Sequence, residues 1–244
     1  MGNFIFGLNP LSYSVTATSS ATDYTCTNLY NYTNLRRQWR STSTAQQTLN
    51  FTFSTAQTIV GVMIDDTNFT GVTVGGSAFT IVKDVRVNRY KIYADKTSAD
   101  TTSFSIVVAS QTPVDSAAYF RIGRILFITN SNKITLAGNI SLPFPYSAEQ
   151  PNLKIGYESG GAEIISLGTY FAFSCTMKFN YTTRTTEGQL HTLNLVSMNS
   201  PIVIYENNTN TSQAYVCYKE GGIEITELGP DVVSINSFKF MEYI

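Results

Sequence analysis

The chain has 244 residues, enough for one large β domain or two modest ones with cores of their own. Only 14% of them are charged against 43% hydrophobic, and the formal net charge is −1. That balance excludes the cationic surface of a nucleic-acid binder, and no apolar stretch reaches the roughly 18 residues of a membrane-spanning helix. Polarity comes instead from Thr, Ser and Asn, whose burial avoids the full desolvation cost of a charge, so such surfaces are readily covered by neighbouring protein.

In chain order, the opening segment "MGNFIFGLNPLSYSV" lacks the positive stretch and sustained apolar run of a secretion signal. Phe6 stands where a myristoylation signal wants Ser or Thr. Helical periodicity is nearly absent, and a short helix near residues 28–35 is the most that is expected. Leu35-Arg36-Arg37-Gln38-Trp39-Arg40 is the densest positive stretch and reads as a solvated or locally paired strand start. Trp39 is either an exposed platform for a sugar ring or a core plug at a sandwich edge, and tryptophan is more often buried.

Short runs rich in β-branched and aromatic residues then recur between polar turn clusters: "QTLNFTFST", "TIVGVMI", "RVNRYKIYAD", "TSFSIVVAS" and "YFRIGRILFIT". Strands of this length and spacing predict an all-β chain of sandwiches. Asp65-Asp66-Thr67-Asn68 is read as a turn. Its oxygens lack calcium-loop spacing, and adjacent carboxylates in a strand face opposite ways and cannot flank one bond. Gly123 interrupts the alternation of its strand, which predicts a bulge that re-aims Arg124. Pairing of Arg121 or Arg124 with Asp65 or Asp66 follows as an expectation.

"SLPFPYSAEQPN", residues 141–152, holds three prolines and no central strand can pass through it. The expected division is therefore a β-sandwich over 1–140, a linker over 141–152 and a second, jelly-roll-like sandwich over 153–244. The second half contains a gapless repeat. "IGYESGGAEIISLG" from Ile155 matches "VCYKEGGIEITELG" from Val216, extending over 155–180 and 216–241. Each copy reads as strand, Gly-Gly hairpin, strand, Leu-Gly turn, strand, with the copies packing face to face.

Chemistry-bearing patterns are missing. His191 is the sole histidine, read at the start of an alternating strand "HTLNLVSM". Cys26, Cys175 and Cys217 are odd in number and far apart, which fits packing thiols in a reducing compartment rather than a disulfide or zinc framework. Glu163 and Glu224 recur beside Gly-Gly pairs, where a hairpin role explains both. No catalytic residue, metal ligand or cofactor is expected, and the protein is expected not to be an enzyme.

Trp39-Arg40-Ser41, the run through Ile59–Ile64 into Asn68-Phe69-Thr70, and "YFRIGRILF" resemble the discoidin-type, galactose-binding-like β-sandwich of tailed-bacteriophage structural proteins. The resemblance spans about residues 25–130. It implies a non-enzymatic virion component of tail, baseplate or neck, assembled in the host cytoplasm. Its expected partners are copies of itself, in a ring or trimer, and other virion proteins, with no nucleic acid and no membrane. The alternative is a carbohydrate-binding module for host attachment, with Tyr30, Tyr32 and Trp39 as stacking surfaces.

Overall fold

The computed structural model describes residues 3–8, 10–30, 35–136, 146–149, 152–156, 162–166, 172–197, 200–207, 211–222, 225–229 and 232–243. Its strands pair antiparallel throughout the described residues, as the all-β reading expects. An outer sheet orders Ser14–Ala17, Gln47–Gln57, Thr101–Val108, Gly71–Val74 and Ser77–Thr80. A middle sheet orders Arg124–Thr129, Ile59–Thr67, Arg89–Ala94 and Val82–Asp84. Strand Gln47–Gln57 alternates, with Leu49, Phe51 and Phe53 inward and Asn50, Thr52 and Ser54 exposed. It is the half-buried wall of a sandwich. Phe127 meets Tyr13, Phe51, Phe53 and Phe104 edge-on at centroid distances of 4.8 to 5.4 Å. Such pairs add about 0.5–1.5 kcal/mol each beyond their burial.

Strand Ile59–Thr67 differs: every position is buried. One face of the middle sheet, with Val62, Ile64, Ile92, Ile125 and Phe127, packs on the outer sheet. The opposite face, with Met63, Tyr93, Leu126 and Ile128, packs on Ile5, Val203, Tyr205 and Val216. Coverage on both faces is why this strand lacks polar alternation.

Those last residues belong to a large sheet ordered Lys133–Leu136, Asn3–Leu8, Ile202–Asn207, Ala214–Glu220, Val232–Glu242, Ala172–Thr183 and Tyr146–Glu149. Phe6 pairs with Ile204 on one side and Ile134 on the other. The sheet thus crosses the Pro-rich segment expected to divide the chain, inserting a strand from the start of the sequence between one from each side of that segment.

The repeat folds differently from the expectation. Asn152–Gly156 and Ala162–Ser166 form a hairpin, but their counterparts Ala214–Glu220 and Ile225–Gly229 both pair with Val232–Glu242. The third strands of the copies pair edge to edge, with Met177 opposite Phe238. Those two positions are equivalent at the repeat offset, so a local two-fold passes between them within one sheet. The intervening glycine turns 157–161 and 167–168 lie outside the described residues, as does Glu224.

Three further expectations are adjusted. Residues Arg184–Leu195 form an α-helix, not a strand, and His191 lies exposed on it. Leu193 is fully buried whereas Leu195 is 76% exposed, and Val196 is buried with Leu193. Spacing of three rather than two is the helical signature, here hidden among Thr and Gly residues of poor helix propensity. The short helix expected near 28–35 occurs as a 3-10 turn over Cys26–Tyr30. Asp65-Asp66-Thr67 is no turn: these residues end the buried strand, in a bulge where Asp66 takes a φ of 54°.

Candidate functional site

Arg124–Thr129 is the edge strand of the middle sheet, and residues 10–13 run along it. The Leu11 amide donates to the Phe127 carbonyl at 3.2 Å, and the Tyr13 hydroxyl lies 2.8 Å from the Ile125 carbonyl and 3.2 Å from that of Leu29. Burial pushes the Tyr13 phenol far above its usual range, so it stays a donor. The 3-10 turn then sets Tyr30 beside it, ring centroids 5.0 Å apart and tilted 41°. Between this edge and Pro201 opens a cleft of about 300 Å³. Its walls are Pro10, Leu11, Leu29, Ile125 and Leu126, with Ser12 and the two tyrosines its polar members. None of the lining residues is ionised at neutral pH, so the cleft is built for contact with an uncharged group and not for acid–base work.

Of the residues expected to stack on a sugar, Tyr30 is 41% exposed at this cleft. Trp39 is 0% exposed, and its indole N–H donates to the Ser19 carbonyl and the Ser20 hydroxyl, each at 3.1 Å. It is the plug of the two readings and presents no stacking face. Tyr32 lies outside the described residues. Arg40, next in the strand, layers its guanidinium over Tyr24 at 3.7 Å and Tyr119 at 5.0 Å.

The ion pairs expected around Asp65 and Asp66 are present. Arg124 lies opposite Asp65 in register, and its guanidinium contacts that carboxylate at 2.6 and 2.9 Å. Gly123 permits this. Its amide reaches the Asp65 and Asp66 carbonyls, and a Cβ there would stand 2.9 Å from that of Asp66. Asp66 faces Arg121 at 3.9 Å on the other side. Asn68 is fully buried and ties its loop to Asp115, Tyr119 and Arg121.

Sequence reasoning missed how far this network runs. Arg89 contacts Asp65 and Glu242, while Lys91 stands 3.2 Å from Asp84 and 4.0 Å from Glu242. Arg86 joins Asp84 to Glu206. Among the described residues, four acids and four bases thus meet where the middle sheet abuts the large one. The available signal was Arg89 and Lys91 alternating inside a strand otherwise destined for burial. Burial alone would raise Asp65, but Arg89, Arg124 and Lys91 hold its carboxyl well below the usual range. For Asp66 burial prevails over Arg121 and the pKa is raised. Among the described residues no cluster of three or more His, Cys, Asp or Glu is placed to hold a metal.

No family model and no curated protein matches the chain. Among solved structures, the family 32 CBM from C. perfringens NanJ in complex with galactose aligns with 50% of this chain and 98% of its own. The identity is 14% and the TM-score 0.37. The CBM32-1 and CBM32-2 domains of Clostridium perfringens ZmpB in complex with GalNAc align with 98% of this chain and 88% of theirs, at 9% identity and TM-score 0.38. SpGH29 aligns with 50% of this chain, at 12% identity and TM-score 0.38, and the match spans only 28% of its length. Likeness at this level carries no argument about activity. The class is defined by the sheets themselves: an antiparallel, all-β protein with an uncharged cleft at a sandwich edge.

Proposed function

We propose that the protein is a non-catalytic carbohydrate-binding protein, with the cleft at Tyr30 as its glycan contact. The observation that carries this reading is the half-open face of Tyr30 beside an uncharged 300 Å³ hollow braced by Tyr13. A pyranose ring presents C–H groups to such a face, and its hydroxyls meet those of Ser12 and Tyr30 at the rim. The absence of charge in the lining selects a neutral saccharide. The galactose-binding-like resemblance of residues 25–130 supports the same reading. A glycan array is the test. Binding of a neutral glycan that weakens about tenfold in Tyr30→Ala, equivalent to about 1.4 kcal/mol, supports it. An array without a hit, or one unchanged by Tyr30→Ala, overturns it.

A second reading, assembly into a virion tail, baseplate or neck, is favoured by apolar side chains left in solvent. Val85 at a hairpin tip is 85% exposed and Leu195 on the helix 76%. With 14% charged residues, such a surface suits closure into a ring or trimer with copies of itself. Light scattering decides this reading: a stable closed oligomer supports it, and a monomer at high concentration removes it.

A further inference from the structure

We propose that Lys91 and Asp84 condense spontaneously into an intramolecular isopeptide bond, pinning the hairpin that abuts the large sheet. The two lie on paired strands, where Asp84 is opposite Arg89 and Lys91 opposite Val82, so they are diagonal neighbours on one face. The Lys91 ammonium nitrogen is 3.2 Å from an Asp84 oxygen. It makes no hydrogen bond of acceptable geometry, and it hangs 3.5 Å from the centre of the Tyr215 ring. Tyr215 in turn stacks on Phe173 at 3.7 Å, and with Lys91, Tyr215 and Phe173 at 0% exposure and Asp84 at 2% the pair is shielded from bulk water.

The surroundings match what amide formation needs. Both carboxyl oxygens of Asp84 already receive donors, the Tyr215 hydroxyl at 2.7 Å and the Arg86 amide at 2.9 Å. Those donors can hold the negative charge that builds on oxygen as the carbonyl carbon is attacked. Burial lowers the Lys91 pKa, which favours the neutral, nucleophilic amine. Burial also pushes Asp84 up, but Lys91, Tyr215 and Arg86 outweigh it, so the resting state is the ion pair. Proton transfer within that pair gives amine and acid without any external reagent.

The step balances. The Lys91 nitrogen bonds to the Asp84 carboxyl carbon, and Glu242, 4.0 Å from that nitrogen, takes the second proton and returns it to the departing hydroxyl. One water leaves and one amide remains. Among the described residues, the other charges facing the site are Arg86, Arg89 and Arg124 against Asp65, Glu206 and Glu242. Condensation removes one charge of each sign, so the three acids and three bases that remain still balance. Two buried charges are exchanged for a neutral amide, which a dry interior favours.

Intact-mass spectrometry of the denatured, reduced full chain tests this independently of any glycan. The expected mass is lower than the sequence mass by one water, and the Lys91→Arg variant, which keeps the charge but cannot condense, has its full sequence mass. In a tryptic map, cleavage after Lys91 is lost and residues 84–86 appear joined to the peptide that begins at Tyr90. A wild-type chain at full sequence mass with normal cleavage after Lys91 overturns the proposal. So does a missing water that maps to any other pair.

Discussion

At the residue scale, Asp65 and Asp66 are chemically alike and neighbours in sequence, yet their environments assign them opposite signs. Asp65 is ionised among Arg89 and Arg124. Its depressed pKa means that its contribution is complete above the ordinary carboxylate value of about 4 and is lost as pH falls through and below it. Asp66 has a raised pKa, so its contribution is present at low pH and is lost as pH rises. Asp65→Asn is expected to destabilise by about 3–5 kcal/mol at neutral pH, because it leaves buried cations uncompensated. Asp66→Asn is expected to change stability by less than about 1 kcal/mol, since asparagine tolerates the positive φ and removes an ionisation that opposes folding. Denaturant titration of both variants at pH 7 and pH 4 reads the contrast directly. Opposite charges made pairing of Arg121 or Arg124 with Asp65 or Asp66 an expectation, and only the register of the two strands selects Arg124 for Asp65. The participation of Glu242 was not legible, because 177 residues separate it from Asp65 and nothing local marks it.

Trp39 makes the same point about environment. Its sequence neighbours left platform and plug both open, and only the tertiary contacts with Ser19 and Ser20 decide. Trp39→Ala is accordingly expected to cost about 3–5 kcal/mol of stability. Tyr30→Ala is expected to leave the unfolding midpoint nearly unchanged.

At the element scale, long strands with one face in solvent were legible, as in Gln47–Gln57, because alternation is then written into the residues. The four-residue strands Gly71–Val74 and Ser77–Thr80 alternate too, but are short enough to be hidden among their glycines. The fully covered strand Ile59–Thr67 was found by its apolar run, yet its end was misplaced because a bulge and a turn use the same residues. Helix Arg184–Leu195 was missed because Leu193 and Leu195 imitate a two-residue period. Alanine at each position separates the two geometries. Leu193→Ala is expected to cost about 2–5 kcal/mol and Leu195→Ala close to nothing, whereas a strand with both on its inner face would lose similar amounts. The repeat was likewise visible as sequence but not as arrangement. Whether like strands meet edge to edge or face to face depends on which edges other strands leave free, and Tyr146–Glu149 takes one of them.

At the scale of the whole molecule, the two sides of the Pro-rich segment are joined by backbone and by charge. The first strand, Asn3–Leu8, lies between Lys133–Leu136 and Ile202–Asn207. In the buried network, residues before the segment supply Asp65 and Asp84 against Arg86, Arg89, Lys91 and Arg124, a surplus of two positive charges. Glu206 and Glu242 supply the two negative charges that neutralise it. Separating the sides would strand charges of both signs in apolar surroundings, so the described sheets should unfold together. Proline spacing marked 141–152 as unable to carry a central strand, and its described part, Tyr146–Glu149, pairs at the edge of the large sheet. It did not show that the chain returns to an earlier strand, since long-range pairing leaves no local mark.

Two probes placed on opposite sides of the segment test that claim most directly. Trp39 is the only tryptophan and reports the sandwich, while the buried thiols of Cys175 and Cys217 report the large sheet. Equilibrium unfolding followed by Trp39 fluorescence and by labelling of those two thiols is expected to give one shared midpoint. Two separate midpoints, with the thiols exposed while Trp39 remains buried, would contradict the account.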